Sequence, residues 1–205
     1  VEAGLAGVEL SAANSDAQVL RKCQAHVCIQ RGEQAARGHG VGGDAAKGRA
    51  AALESEGQLR EVLQGADMVF VTTGMGGGTG TGGGPVVARL SKELGALTVG
   101  IVTRPFDFEG LRRASIADLG IQEMRQSVDT LLVIPNQRLF DVMDPDSNHE
   151  SAFRLADDVL RKSVKSISDL ITVPGLINLD MNDLRAVMKD AGEALIGIGE
   201  ASGPG

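Results

Sequence analysis

The chain has 205 residues, enough for one domain and part of another, and a formal charge of −7 that argues against a polyanion-wrapping surface. Five Phe are the only aromatics, with no Trp or Tyr, so the core is aliphatic and single-stranded nucleic acid has no stacking platform. A local phosphate site survives both exclusions, because backbone amides bind phosphate without net positive charge.

Val1 opens the chain as if within a helix, and residues 200–205 (EASGPG) read as a linker or a cut, so a fragment is expected. Gly7–Ala13 is a short predicted strand ending at Asn14-Ser15-Asp16, and Val27–Gln30 is a weaker one. Between them lie Cys23, His26 and Cys28. Three neighbouring ligands with distant His39 and His149 fall short of a zinc pattern, and small, partly buried residues are the plainer reading. Arg37–Arg49 is Gly-rich and reads as loop, and Leu53–Leu63 as helix.

Asp67–Thr73 (DMVFVTT) is a strong buried strand. Gly74–Gly84 follows, with eight Gly in eleven residues, and Pro85 suits the first turn of a helix running to about Leu94. Leu97–Thr103 reads as strand, Leu111–Gln126 as helix and Val128–Ile134 as strand. Ser151–Ile171 is the longest predicted helix, its apolar stripe being Phe153, Ala156, Leu160, Val164, Ile167 and Ile171. A shorter helix is expected around Asn182–Ala194. No run approaches the ~18 apolar residues of a membrane span, and no signal peptide is visible. The expectation is a cytoplasmic protein without direct membrane insertion.

Alternating apolar strands and helices imply an α/β fold, a Rossmann-like, mostly parallel sheet with helices on both faces. Ligands then bind beyond the carboxyl ends of the strands. The loop Gly74–Gly84 sits at such an end and opens a helix. Glycine lets amides converge on phosphate oxygens with no Cβ in the way, and Thr79 and Thr81 add hydroxyls. No Lys-Ser/Thr pair ends the loop, so it is not a Walker A loop.

GGGTGTG at Gly76–Gly82 resembles the signature of the tubulin/FtsZ superfamily of GTPases. DMVFVTTGMGGGTGTGGGPVVA, TRPFDFEG, AFRLADDVL and GLINLDMNDLRAVM occur in order along the chain and are similar to the FtsZ branch. The resemblance implies GTP or GDP as ligand, with Gly76, Gly77, Gly78, Thr79, Gly80, Thr81 and Gly82 at the α/β-phosphates. It places Glu109 and Arg113 at the ribose, and Asn136 at the guanine. It stacks Phe153 on the base and has Asp157 accept from guanine N1–H and N2. Asp158 could take that role instead, and sequence alone leaves the choice open. Asn14 and Asp16 match a loop after an early strand, and Gly42 and Gly43 a loop near the γ-phosphate. Asp44-Ala45-Ala46 stands there where the family typically has Asn-Pro-Glu.

Asp180 and Asp183 alone read as helix caps. The resemblance makes them, with Asn178, catalytic groups that reach into the pocket of the next subunit in a filament. Magnesium would neutralise the phosphates. The implied protein hydrolyses GTP, polymerises head-to-tail with copies of itself and forms the mid-cell division ring. A C-terminal tail outside this sequence would meet membrane-tethering and other division proteins. The expected organisation is a GTP-binding domain over residues 1–150, a central helix over 151–172, and a loop and connection to a further domain over 173–205. The family also carries a strand and phosphate loop, about one βα unit, ahead of Val1. Two alternatives are a superfamily paralogue serving DNA segregation, cell shape or an organelle, and an NAD-dependent oxidoreductase. The latter needs an acid about 20 residues past its glycines. Glu109 is near that distance, but four ordered motifs outweigh one loose spacing.

Overall fold

The computed structural model describes residues 7–23, 25–30, 32, 40–143, 148–172 and 180–195. All pairing among these residues is parallel. Strands β1 (Ser11–Asn14) and β2 (Val27–Gln30) form one ladder. Strands β3 (Met68–Gly74), β4 (Leu97–Arg104), β5 (Thr130–Pro135) and β6 (Gly192–Ala194) form a second, in that order.

Period-2 alternation divides the second sheet cleanly. Val69, Val71, Val102 and Leu131 face one way, onto helices α4 (Thr79–Glu93) and α5 (Leu111–Ser127). Val99, Ile101, Leu132 and Ile134 face the other way, onto α6 (His149–Thr172). Val99, Ile101 and Val102 lose all solvent contact, and such burial stabilises by about 1.5–3 kcal/mol per side chain. Helices α2 (Ala45–Glu54) and α3 (Glu56–Leu63) share a core with Ile29 of β2 and Val86 and Leu90 of α4, so one helix layer spans both ladders. The remaining helices are a single turn, α1 (Ala17–Leu20), and α7 (Met181–Met188). Helices thus cover both faces of a parallel sheet, as expected.

Several predicted boundaries move, each for a physical reason. Helix α4 begins at Thr79, not at Pro85, so half the glycine run is helical. Each glycine in a helix costs about 1 kcal/mol against Ala, and close packing on α2 offsets it. A Cβ on Gly82 would collide with the Ala45 carbonyl, and one on Gly48 with the Gly78 carbonyl. The predicted loop over Arg37–Arg49 yields to helix from Ala45, because Asp44 caps it: its Oδ1 accepts from the N–H groups of Ala46 and Lys47. The predicted Leu53–Leu63 helix is broken at Ser55, whose hydroxyl accepts from Gly32 N–H. The first strand starts only at Ser11. The last predicted helix stops at Met188, since Asp190 (φ 53°) and Gly192 (φ 81°) turn the chain into the parallel edge strand β6.

Helix α6 buries Ala152, Ala156, Ser163, Val164 and Ser168, whereas Phe153 is displaced to the rim. Cys23 is half-buried and Cys28 exposed, while His26 Nδ1 accepts from Leu10 N–H. No described helix is long and apolar enough to cross a membrane.

Candidate functional site

The register pairs Gly74 with Thr103 and Arg104 with Pro135, so the loops after β3, β4 and β5 leave the sheet side by side. Met75 N–H donates to Thr103 O and carries this pairing one step into the glycine loop. Gly76 then takes φ 99°, against the Arg113 backbone, where a Cβ would lie 2.7 Å from Arg113 O. Gly77 has nothing within 4 Å on its Cβ side, so one face of the loop is open. Gly78 is the N-cap of α4 and brings no side chain, leaving the first turn without a side-chain cap.

The two threonines have different duties. Thr81 is buried, and its Oγ1 accepts from Gly76 N–H at 2.9 Å, closing the loop on itself. Thr79 Oγ1 shares a 2.6 Å hydrogen bond with Ser15 Oγ and so ties the loop after β1 to the glycine loop. Ser15 is fully buried. Its part was missed because a serine between Asn14 and Asp16 reads as turn filler until the other loop is in place. Asn14 Oδ1 accepts from Asp16 N–H, and Asp16 Oδ1 caps α1 by accepting from Gln18 and Val19 N–H. Asp16 Oδ2 is left facing Gly40. Gly42 and Gly43 follow at φ 59° and 79°, exposed and open on their Cβ sides. The departure at Asp44 leaves this loop a helix cap in place of the family's Asn.

Past β4, Glu109 is half-buried, its side chain only 7% exposed, rather than a solvated surface acid. Its Oε1 accepts from Phe106 N–H at 2.9 Å, and its Oε2 pairs with Arg113 at 3.1 Å. Past β5, Asn136 is 5% exposed, and its Oδ1 is buried with no hydrogen-bond partner among the described residues. A buried unpaired amide oxygen costs about 1–3 kcal/mol, which marks a group waiting for a donor.

Four of the five Phe gather into one cluster, which the sequence did not disclose. Phe106 is buried, stacks on Phe108 at 5.0 Å between centroids and meets the edge of Phe153 at 5.5 Å. Phe140 and His149 complete the cluster. Phe153 stays 42% exposed, so a flat face is on offer at the rim.

Asp157 and Asp158 separate clearly. Asp158 accepts from Arg161 at 2.5 Å and lies 3.6 Å from Lys162, and these cations hold its carboxyl below the usual aspartate range. Asp157 has no hydrogen-bond or ion-pair partner among the described residues. The residue is exposed, yet partial desolvation of its carboxyl raises it above the usual range.

Asp180 and Asp183 are far from these groups. They cap α7 reciprocally: Asp183 N–H donates to Asp180 Oδ1 at 2.8 Å, and Asp180 N–H to Asp183 Oδ2 at 3.3 Å. Helix α7 packs where strands β3 and β4 begin, opposite the glycine loop. The structure therefore brings Asn14, Asp16, Gly42, Gly43, the Gly76–Gly82 loop, Glu109, Arg113, Asn136, Phe153 and Asp157 to one edge of the fold, and not Asp180 or Asp183. Asn178 lies outside the described residues.

The Tubulin/FtsZ family, GTPase domain, matches residues 6–144. Among solved structures, the fold is similar to FtsZ from M. jannaschii, described as an empty dimer. The identity is 46% and the TM-score 0.90, over 93% of this chain and 55% of that one. A tryptophan-to-tyrosine variant of FtsZ from the same organism gives 46% and 0.90, over 93% and 57%. CetZ2 from Haloferax volcanii, described as a GTPγS-bound protofilament, shares the fold at 20% identity and TM-score 0.76, over 89% and 54%. The chain thus spans just over half the length of the solved relatives it matches. With its glycine loop at the strand ends and the family match over residues 6–144, the chain belongs to the Tubulin/FtsZ family and carries that family's GTPase domain.

Proposed function

We propose that the protein binds and hydrolyses GTP, assembles head-to-tail and builds the cytoplasmic ring of cell division. The carrying observation is the orphaned Asn136 Oδ1, on the same edge as the uncapped α4 N-terminus. Phosphate suits the N–H groups of that helix end and of the glycine loop. Guanine suits the other half, since N1–H and N2 donate where Asn136 Oδ1 and Asp157 only accept. Adenine presents no such donor pair. Phe153 would stack on the base, and Glu109 and Arg113 would meet the ribose.

Magnesium fits this set. It takes one or two carboxylates plus phosphate oxygens and water, and Asp16 Oδ2 is free beside the Gly40–Gly43 turn. When bound, it would screen phosphate charge and favour departure of the β-phosphate oxygen.

Asp180 and Asp183 stand at the opposite end of the strands, so a single copy does not close its own site. In our reading they orient the attacking water in the pocket of the next copy, aided by Asn178. Such a contact is heterologous and propagates into a filament. The one-sided pairing of β1 and β3 among the described residues supports the expected organisation, in which a further strand belongs to the whole protein. Identity of 46% to an FtsZ, against 20–24% to CetZ proteins, favours the division role over the paralogue reading.

The test is phosphate release from GTP as protein concentration rises, with ATP and NAD as controls. Release per subunit should climb steeply above a threshold, and Asp183→Ala should abolish it while GTP binding persists. A flat specific activity sinks the shared site, and tight NAD binding without GTP binding sinks the ligand assignment.

A further inference from the structure

A helix of eight residues is marginal on its own, so α7 holds its shape and place through contacts with the body. The reciprocal cap fixes Asp180 and Asp183 relative to each other and to the helix, but not relative to the sheet. Near the acids, that second task falls to Leu184, which is buried, and to Arg185. Arg185 Nη1 donates to Gly95 O at 3.1 Å and Nη2 to Asp67 O at 3.2 Å. These carbonyls belong to the two connections that enter β4 and β3.

We propose that Arg185 is a positioning residue for hydrolysis: by bridging the Gly95 and Asp67 carbonyls it sets where the Asp180–Asp183 pair is presented to a second copy of this chain. This rests on the head-to-tail reading above. At about 100° per residue, positions 183 and 185 point to nearly opposite sides of the helix. Arg185 therefore faces the body while Asp183 faces outward, where it is exposed.

The guanidinium is a planar fork, and its two donors engage carbonyls from different connections. One such bond would let the helix pivot; two resist both rotation and sliding. An ammonium is a point charge on a flexible stem and cannot hold both with the same geometry. The far end of α7 has separate pins. Thr130 Oγ1 donates to Met188 O at 2.6 Å, and Lys92 pairs with Asp190 at 3.2 Å. Without Arg185 those pins and the buried Leu184 remain, but the acid-bearing end loses both hydrogen bonds that fix its orientation on the sheet connections. A misplacement of about 1 Å can cost on the order of a hundredfold in rate.

Arg185→Ala and Arg185→Lys are compared with wild type and Asp183→Ala in the full protein, by GTP turnover, GTP affinity and the threshold for pelletable polymer. Arg185→Ala should bind GTP and polymerise as wild type does, with kcat per assembled subunit down about tenfold or more and KM unchanged. Arg185→Lys, which keeps the stem and the charge, should fall between. Wild-type kcat in both variants overturns the proposal, and so does a loss of GTP affinity that matches the loss of kcat. Should the Ala variant fail to fold, the Lys variant decides, and undiminished kcat there overturns it. A flat wild-type profile or an active Asp183→Ala instead sinks the head-to-tail reading, and both are seen without reference to Arg185.

Discussion

The two ends of the β3–β6 sheet are built on opposite principles. At the carboxyl ends of the strands, polar groups are left wanting: Asn136 Oδ1 is buried without a partner, Asp157 is unpaired among the described residues, and α4 opens without a side-chain cap. At the amino ends, polar groups are satisfied. Asp129 is 4% exposed, yet its Oδ2 accepts from Thr98 N–H at 2.8 Å and its Oδ1 meets Lys92 at 3.0 Å. Burial pulls the Lys92 pKa down, but hydrogen bonds to Asp129 and Asp190 outweigh it and hold the ammonium above its usual value. Gly192 N–H donates to Asp129 O, and Arg125 pairs with Glu193, so β6 is fastened to the same network. One end has acceptors and donors to spare and suits a ligand. The other has spent its own on holding α7 and β6 in place.

This contrast can be broken by substitution. The largest effect is expected at the satisfied end. Lys92→Met strands the buried Asp129 carboxylate and should cost about 3 kcal/mol, read as a lower denaturation midpoint at unchanged slope. GTP affinity should hardly change, because the network is remote from the glycine loop. A matching loss of affinity would mean that the two ends are not independent.

At the open end the sign reverses. Asn136→Leu removes an unpaired polar group and should leave the nucleotide-free protein equally stable or about 1 kcal/mol more stable. GTP affinity should fall about tenfold, the value of one buried hydrogen bond. Lower stability together with full affinity would show that Asn136 serves the fold and not the ligand.

The smallest effect is in pH. Burial disfavours ionised Asp157, so its carboxyl takes up a proton at higher pH than an ordinary aspartate. In the proposed site, guanine N–H donors need the ionised form. GTP affinity should therefore weaken as pH falls through this raised pKa, with a proton released on binding in that range. Asp157→Asn should flatten the profile. Because this carboxyl keeps an exposed edge, the change should be a few-fold. An unchanged slope in the Asn variant would assign the titration elsewhere.

Much of the open end was legible in the chain. A β-rich run followed by eight Gly in eleven residues predicts a strand and a loop at its carboxyl end, because only glycine admits φ 99° at Gly76 and leaves amides bare. What stayed hidden was the division of labour within that run. Gly77 opens toward ligand space, while Gly82 exists for the Ala45 carbonyl of α2, a contact that spans 37 positions and has no periodicity to betray it. Ser15 and the Phe106–Phe108–Phe140–Phe153 cluster were invisible for the same reason, each assembled from segments distant in sequence.

The sequence by itself determined the α/β alternation, the strand-end position of the glycine loop and the family signature, since all of these are local patterns of residue type. The tertiary structure showed that Asp158 is paired with Arg161 and Lys162, while Asp157 has no hydrogen-bond or ion-pair partner among the described residues. It also decided that Asp180 and Asp183 stand at the far end of the sheet from the glycine loop. Distance across a fold is set by how parallel strands stack in register, and a linear order of residues carries no measure of it.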